Sequence, residues 1–236
     1  MAETPRLAHL TILLLMGTEL CVVLSLLTAL GAAAARRKFA ALAAGGLAAG
    51  IAAGYACVLL GVGWMSGERI LAPGQWKYFC EADCHIAYTV DGVSAEPAGG
   101  AAEGSTAASR SRVLVRLKTW FDENSIAKFR GNGPLRPEAR SVVLVDANGQ
   151  RYAAEAGAEA GGGSESTSMS TPLRPGESYI TLLTFDVPGG ARDLRLLVTD
   201  VDPASRFIID HENSPLHGKI LLRLPEAGGA LHSALR

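Results

Sequence analysis

The chain has 236 residues and a formal charge of −1, with 22 lysines and arginines against 23 aspartates and glutamates. Four of the basic and two of the acidic residues precede Ser66, which leaves 18 against 21 in the rest. That balance excludes the basic stripe on which nucleic-acid binders rely, and the mean hydropathy of +0.20 is raised by the first quarter of the chain.

That quarter consists of two apolar runs, 7–35 and 39–65, parted by Arg36-Arg37-Lys38. About 20 apolar residues rising 1.5 Å each cover the ~30 Å hydrocarbon core of a bilayer. Each run is therefore expected to be a transmembrane helix, and residues 1–69 a hairpin embedded in lipid. The first run is too long for a cleaved signal sequence, whose apolar core spans ~7–15 residues. Counting basic residues at the ends of the runs puts the Arg36–Lys38 triplet in the cytoplasm. Both termini then lie outside, which in a bacterium means an inner-membrane protein with its C-terminal domain in the periplasm.

Within the hairpin, Gly46, Gly50 and Gly54 recur at every fourth residue. On a helix they form one small-residue face that admits a second backbone. The simpler expectation is that this face packs the second span on the first; the alternative is docking to a larger membrane complex. Glu19 lies mid-span, where a charged carboxylate costs several kcal/mol. It is expected to stay neutral and bond to a neighbouring helix.

After Pro73-Gly74 the pattern acquires period two. Tyr78, Cys80, Ala82, Cys84, Ile86, Tyr88 and Val90 alternate with polar neighbours and predict one half-buried strand. Further strands are expected over 112–121, 141–146, 178–187, 193–199, 206–210 and 219–224. Asn148-Gly149 supplies a turn of positive φ. Two segments, 94–111 and 153–170, are rich in Ala, Gly, Ser and Glu and are expected to be surface loops. Short strands without an amphipathic helix predict an antiparallel sandwich over 70–236.

The series Ser141-Val-Val-Leu-Val-Asp-Ala-Asn-Gly, Leu173-Arg-Pro-Gly-Glu, Thr184-Phe-Asp-Val-Pro and Asp193-Leu-Arg-Leu-Leu-Val-Thr resembles bacterial extracellular immunoglobulin-like domains. These telokin-like domains have no assigned function. The tail from Asp210 to Leu224 is similar to the closing strand of their membrane-anchored versions. The resemblance spans roughly Trp76–Leu224 and implies an immunoglobulin-like sandwich and no particular activity.

One cluster carries chemistry: Cys80, Cys84 and His85. Four readings compete for it. A Cys80–Cys84 disulfide suits an oxidising compartment, but residues four apart on a straight strand are ~13 Å apart, whereas a bridge needs Cα atoms within ~7 Å. Two buried free thiols fit the strand without a turn. Cys-x-x-x-Cys also holds copper in subunit II of cytochrome oxidase and its copper chaperones. This chain departs from them, with Tyr88 at the fourth residue after Cys84 and His85 beside the cysteine; His211 and His217 are conceivable distal ligands. Haem attachment, normally Cys-x-x-Cys-His, would need a variant with one more residue. The structural readings are preferred, with copper or haem as the alternative.

Cys21 and Cys57 read as apolar fillers of the spans. Asp200, Asp202, Asp210 and Glu212 lack the loop spacing of the helix-loop-helix calcium motif. No Gly-x-Ser-x-Gly elbow occurs, nor a phosphate-binding glycine loop between strand and helix. The sequence thus predicts a non-catalytic, membrane-anchored binding or accessory module, whose partners are the lipid bilayer and proteins of the membrane or periplasm.

Overall fold

The computed structural model describes residues 8–79, 85–97, 110–126, 130–155 and 166–225. Cys80 and Cys84 lie outside these residues, as do the centres of the two expected loops, 98–109 and 156–165. The chain divides into two compact units. Among the described residues, one is helical and takes in 8–68 and 202–219; the other, drawn from 69–201 and 220–225, holds the strands.

The helical unit contains α1 (Ala8–Ala34) and α2 (Lys38–Met65). Both are long and apolar enough to cross a membrane, and none of the apolar window of α1 is buried within the protein. Leu13, Leu20, Leu24 and Leu30 of α1 and Leu42, Leu47 and Trp64 of α2 are exposed. The helices are joined at a tight corner. Arg37 N–H donates to Ala32 O at 2.8 Å and Arg36 N–H to Ala33 O at 2.9 Å, the paired bonds of a Schellman ending. Arg36 takes the left-handed position with φ 57°, a place usually given to glycine.

The seam of the hairpin is not the glycine face. On α1 the less exposed positions are Thr11, Leu15, Thr18, Val22, Ser25, Ala29 and Ala32, spaced alternately by four and three. That is the heptad rhythm of left-handed helix pairs. On α2 the corresponding stripe runs through Ala41, Ala44, Ala48, Ile51, Tyr55, Leu59 and Gly63. Gly46, Gly50 and Gly54 are exposed, and a Cβ added at any of them would meet no atom within 4 Å. The expectation that this face packs the second span on the first is therefore corrected: small Thr, Ser and Ala side chains already let the backbones approach elsewhere on the helices.

Residues 202–219 complete the helical unit. The expected strand 206–210 is absent, because Asp202 caps a 3₁₀ turn over Pro203–Phe207. Proline at the first position and the Asp202 cap favour the turn, and they override the apolar Phe207-Ile208-Ile209 pattern.

The strand unit is a β-sandwich, with nine strands among the described residues: β1 (Arg69–Leu71), β2 (Lys77–Phe79), β3 (Ile86–Pro97), β4 (Arg110–Phe121), β5 (Arg140–Val145), β6 (Arg151–Ala153), β7 (Ser178–Pro188), β8 (Arg195–Asp200) and β9 (Ile220–Arg223). One sheet has the order β1-β9-β8-β5-β6 and the other β2-β3-β4-β7. All pairs are antiparallel except β1 with β9, which runs parallel. The expected single strand from Tyr78 to Val90 is in fact two. Lys77 pairs with Tyr88, Tyr78 with Ala87 and Phe79 with Ile86, so the chain reverses within six residues.

The core lies between the sheets. Phe79, Tyr88, Val115, Leu117, Phe121, Leu183 and Phe185 from one sheet meet Leu144, Leu196, Val198 and Leu222 from the other. Strict alternation in β4, where Val113, Val115 and Leu117 are wholly buried, is the period-two pattern read as packing. At the end of β5, Asp146 organises the turn. Its Oδ1 accepts from Asn148 N–H (2.8 Å) and Gln150 N–H (2.9 Å), and its Oδ2 from the Tyr152 hydroxyl (2.9 Å). Gly149 takes the positive φ of 78° that its place in the turn demands.

Charge is buried in this core as well. Lys77 is 3% exposed, and its Nζ donates to Val198 O (2.6 Å) and Ile220 O (2.9 Å). The Arg140 and Asp200 side chains are 2% and 4% exposed and form an ion pair at 3.3 Å. The guanidinium lies 4.2 Å and the ammonium 5.0 Å from the centroid of the Phe79 ring. Removing one member of a buried pair strands the other charge, at a cost of about 3–5 kcal/mol. Asp200→Asn is thus expected to lower the unfolding free energy of the detergent-solubilised chain by an amount in that range, read from denaturant titration. Adding Arg140→Met to it should restore part of the loss, since the stranded cation is then gone.

Candidate functional site

Of the one cluster that the sequence singled out, His85 is the described member and directly precedes β3. His85 is 4% exposed and its ring stacks on Phe121, with centroids 5.5 Å apart and planes 15° apart. Its Nδ1 lies 2.6 Å from Ser125 Oγ, and that hydroxyl donates to Asp122 O at 2.7 Å. A hydroxyl has one proton to give. Ser125 must therefore accept from the imidazole, which fixes the Nδ1–H tautomer and places the ring lone pair on Nε2. That is the form in which histidine serves as a metal ligand or proton acceptor.

A short 3₁₀ turn after β4, Glu123–Ser125, builds this support. Asp122 caps it through Asn124 N–H (2.9 Å), and its other carboxylate oxygen accepts from the Tyr78 hydroxyl at 2.8 Å. Asp122 N–H donates to His85 O (2.9 Å). The guanidinium of Arg130 lies 4.8 Å from the Phe121 centroid. Three separated segments thus converge on one corner of the four-stranded sheet. Its outer face beside this corner carries Trp76 and Trp120, whose ring centroids are 5.0 Å apart. They lie over the strand pair in which Ala87 opposes Trp120 and is wholly buried.

The other residues named from the sequence do not assemble into a site. His211 Nδ1 accepts from Asn213 N–H (3.0 Å), while His217 bonds to Gly218 O (2.7 Å) and approaches Asp210 at 3.4 Å. Both hold the 202–219 segment in shape. Asp200 pairs with Arg140, and Asp202 caps its turn. Among the described residues no group of three or more His, Cys, Asp or Glu is placed to hold a metal ion. Cys21 and Cys57 are exposed on α1 and α2. Glu19 is exposed on α1 and within electrostatic range of the Tyr55 hydroxyl.

Sequence reasoning missed the pairing of Trp76 with Trp120 and the Ser125–Asp122 support. Each comes from a different strand or turn, and no local spacing joins them. The only available signal was Trp120 at a strand position of outward parity.

No family model matches the chain, and neither does any curated protein. Two solved structures are similar at low level. An uncharacterised β-sandwich protein from Clostridium difficile 630 is 8% identical with a TM-score of 0.39, over 68% of this chain and 96% of that one. A protein provisionally assigned as a lipoprotein, from Bacillus subtilis subsp. subtilis str. 168, is 11% identical with a TM-score of 0.31. That match covers 54% of this chain and 34% of the other. Both likenesses are remote.

Burial, followed by the hydrogen bond to Asp122 and the carboxylate's charge, raises the Tyr78 phenol well above its ordinary value. An exposed tyrosine is half ionised near pH 10. Tyr78→Phe should accordingly leave the phenolate absorbance of the chain at about pH 10 unchanged, as read at the near-ultraviolet phenolate band.

Proposed function

We propose that this protein is a membrane-anchored, extracytoplasmic binding or accessory module of a bacterial inner membrane. The α1–α2 hairpin is its anchor and the sandwich its working part. On this reading the sandwich is immunoglobulin-like and displays its surface to a protein partner in the periplasm without catalysing a reaction. The observation that carries the proposal is the contrast between the two units. Large apolar side chains are exposed on both helices, which suits lipid and not water. The sandwich has buried its own core and keeps charged pairs such as Arg110–Asp186 and Arg116–Asp91 on its surface. The half-buried Trp76/Trp120 pair is the contact surface we assign to the partner, because tryptophan dominates binding hot spots.

The test is made on the full chain expressed in a bacterium. It should stay in the membrane after alkaline carbonate extraction and co-purify with a defined subunit from mild detergent. Trp120→Ala should lose that subunit while leaving the chain in the membrane. A lone monomer after mild solubilisation would refute the accessory role.

A second reading is favoured by the reversal between Phe79 and Ile86. The distance that opposed a Cys80–Cys84 bridge assumed a straight strand, and the flanking residues are instead register partners. A disulfide is then the preferred state. Denatured without reductant, chain from an oxidising compartment should show two reactive thiols, Cys21 and Cys57, and four after reduction. Four thiols before reduction would exclude the bridge. Bound copper, or a haem band lost on Cys80→Ser, would instead make Cys80, Cys84 and His85 a redox site.

A further inference from the structure

We infer that the segment 202–219 is a lipid-contacting shoulder, pressed against α2 at the outer boundary of the hydrocarbon core, with Phe207 reaching the acyl chains and Leu216 at the interface above them. The inference rests on the hairpin being the membrane anchor, as proposed above.

Depth comes first. Lys38 opens α2 directly after Arg36 and Arg37, and a run of three cations belongs at a membrane boundary. Tyr55 stands 17 residues further along the helix, about 26 Å at 1.5 Å per residue. That is less than the ~30 Å thickness of the core, so Tyr55 lies just beneath the opposite boundary. Its hydroxyl donates to Phe207 O at 2.6 Å, and this fixes the segment at the same depth.

A second set of contacts holds the segment along the rest of the helix. A Cβ added to Gly63 would sit 2.2 Å from Pro215 O, so only glycine admits that carbonyl. Gly218 N–H donates to Ser66 Oγ at 2.9 Å, and a Cβ on Gly218 would run into the Gly67 carbonyl group at 2.3 Å. The segment therefore follows the final turns of α2 towards the water.

The segment is also built for such a place. Irregular backbone is costly near hydrocarbon unless its polar groups find partners within the protein. Here Asp202 O accepts from Ser205 N–H and Oγ, and His211 O from Ser214 N–H and Oγ. Asn213 Nδ2 donates to Ser205 Oγ at 3.0 Å, and Lys219 Nζ donates to Glu212 O. With its polar groups turned inward, the segment leaves Phe207 60% and Leu216 68% exposed. Trp64 and Met65, at the end of the same helix, are 82% and 88% exposed. Aromatic side chains of this kind gather at membrane interfaces, and exposed Arg206 can reach headgroups while its stem stays in apolar surroundings.

Trypsin offers a direct assay, since Arg206 and Lys219 bracket the single peptide Phe207–Lys219. The full chain is reconstituted in phosphatidylcholine vesicles that contain a phosphatidylcholine with a photoreactive acyl tail. After irradiation and digestion, lipid adducts are mapped by mass spectrometry. Label is expected on Phe207–Lys219 as well as on α1 and α2. The Phe207→Ser/Leu216→Ser double variant should lose most of the label on that peptide and keep that on the helices. Labelled helices with an unlabelled Phe207–Lys219 in the unaltered protein would overturn the inference, leave the anchor standing, and assign the exposed side chains to a protein partner. Unlabelled helices would overturn the anchor, and the shoulder with it.

Discussion

The sandwich depends on an inter-sheet clamp made of charge. Lys77 belongs to the four-stranded sheet, yet its ammonium donates to the carbonyls of Val198 and Ile220 in the other. Arg140 makes the reverse crossing, from the five-stranded sheet to the ring of Phe79 on β2. Burying an ion costs several kcal/mol, and here that cost is offset by two carbonyl acceptors, one carboxylate and one aromatic ring.

A different economy governs the helices. Water drives the sandwich to close around Tyr88, Phe121 and Phe185, since apolar area removed from water stabilises by roughly 25 cal/mol per Å². If the hairpin is the membrane anchor proposed above, lipid offers no such gain, and close backbone approach has to hold it. The seam runs through Thr18, Ser25, Ala29, Ala44 and Ala48, while Leu13, Leu20, Leu24 and Leu30 look outward. Gly46, Gly50 and Gly54 carry the familiar sequence signal for helix contact but occupy the other side of α2. Four-residue spacing identifies a face of a helix; it does not say which neighbour that face meets.

At the corner of the four-stranded sheet, positioning is indirect. His85 is held by a serine whose own proton is committed to Asp122, and Asp122 also receives the Tyr78 phenol. The imidazole is therefore fixed in ring orientation and tautomer by groups from three segments. A structural histidine and a ligand histidine are supported in the same way, which is why the state of the neighbouring cysteines decides between them.

Much of the molecule could be read in advance. The two helices were legible because apolar runs of such length have few other uses, and β4, β5, β7, β8 and β9 because half-buried strands must alternate. The positive φ at Gly149 was legible because an Asn-Gly pair in a turn has few conformations open to it. What failed did so for tertiary reasons. Tyr78–Val90 alternates without a break, yet antiparallel pairing of its two ends is better than one long strand, and no local pattern registers that choice. Phe207-Ile208-Ile209 reads as a strand, but a capped 3₁₀ turn and the Tyr55 hydroxyl hold it otherwise. The sequence by itself determined the materials: two lipid-compatible helices, a strand-rich domain, and a histidine beside two cysteines. Only the tertiary structure decided which helix faces meet, that Lys77 and Arg140 are buried, and that His85 stacks on Phe121, because each depends on atoms brought together from distant parts of the chain.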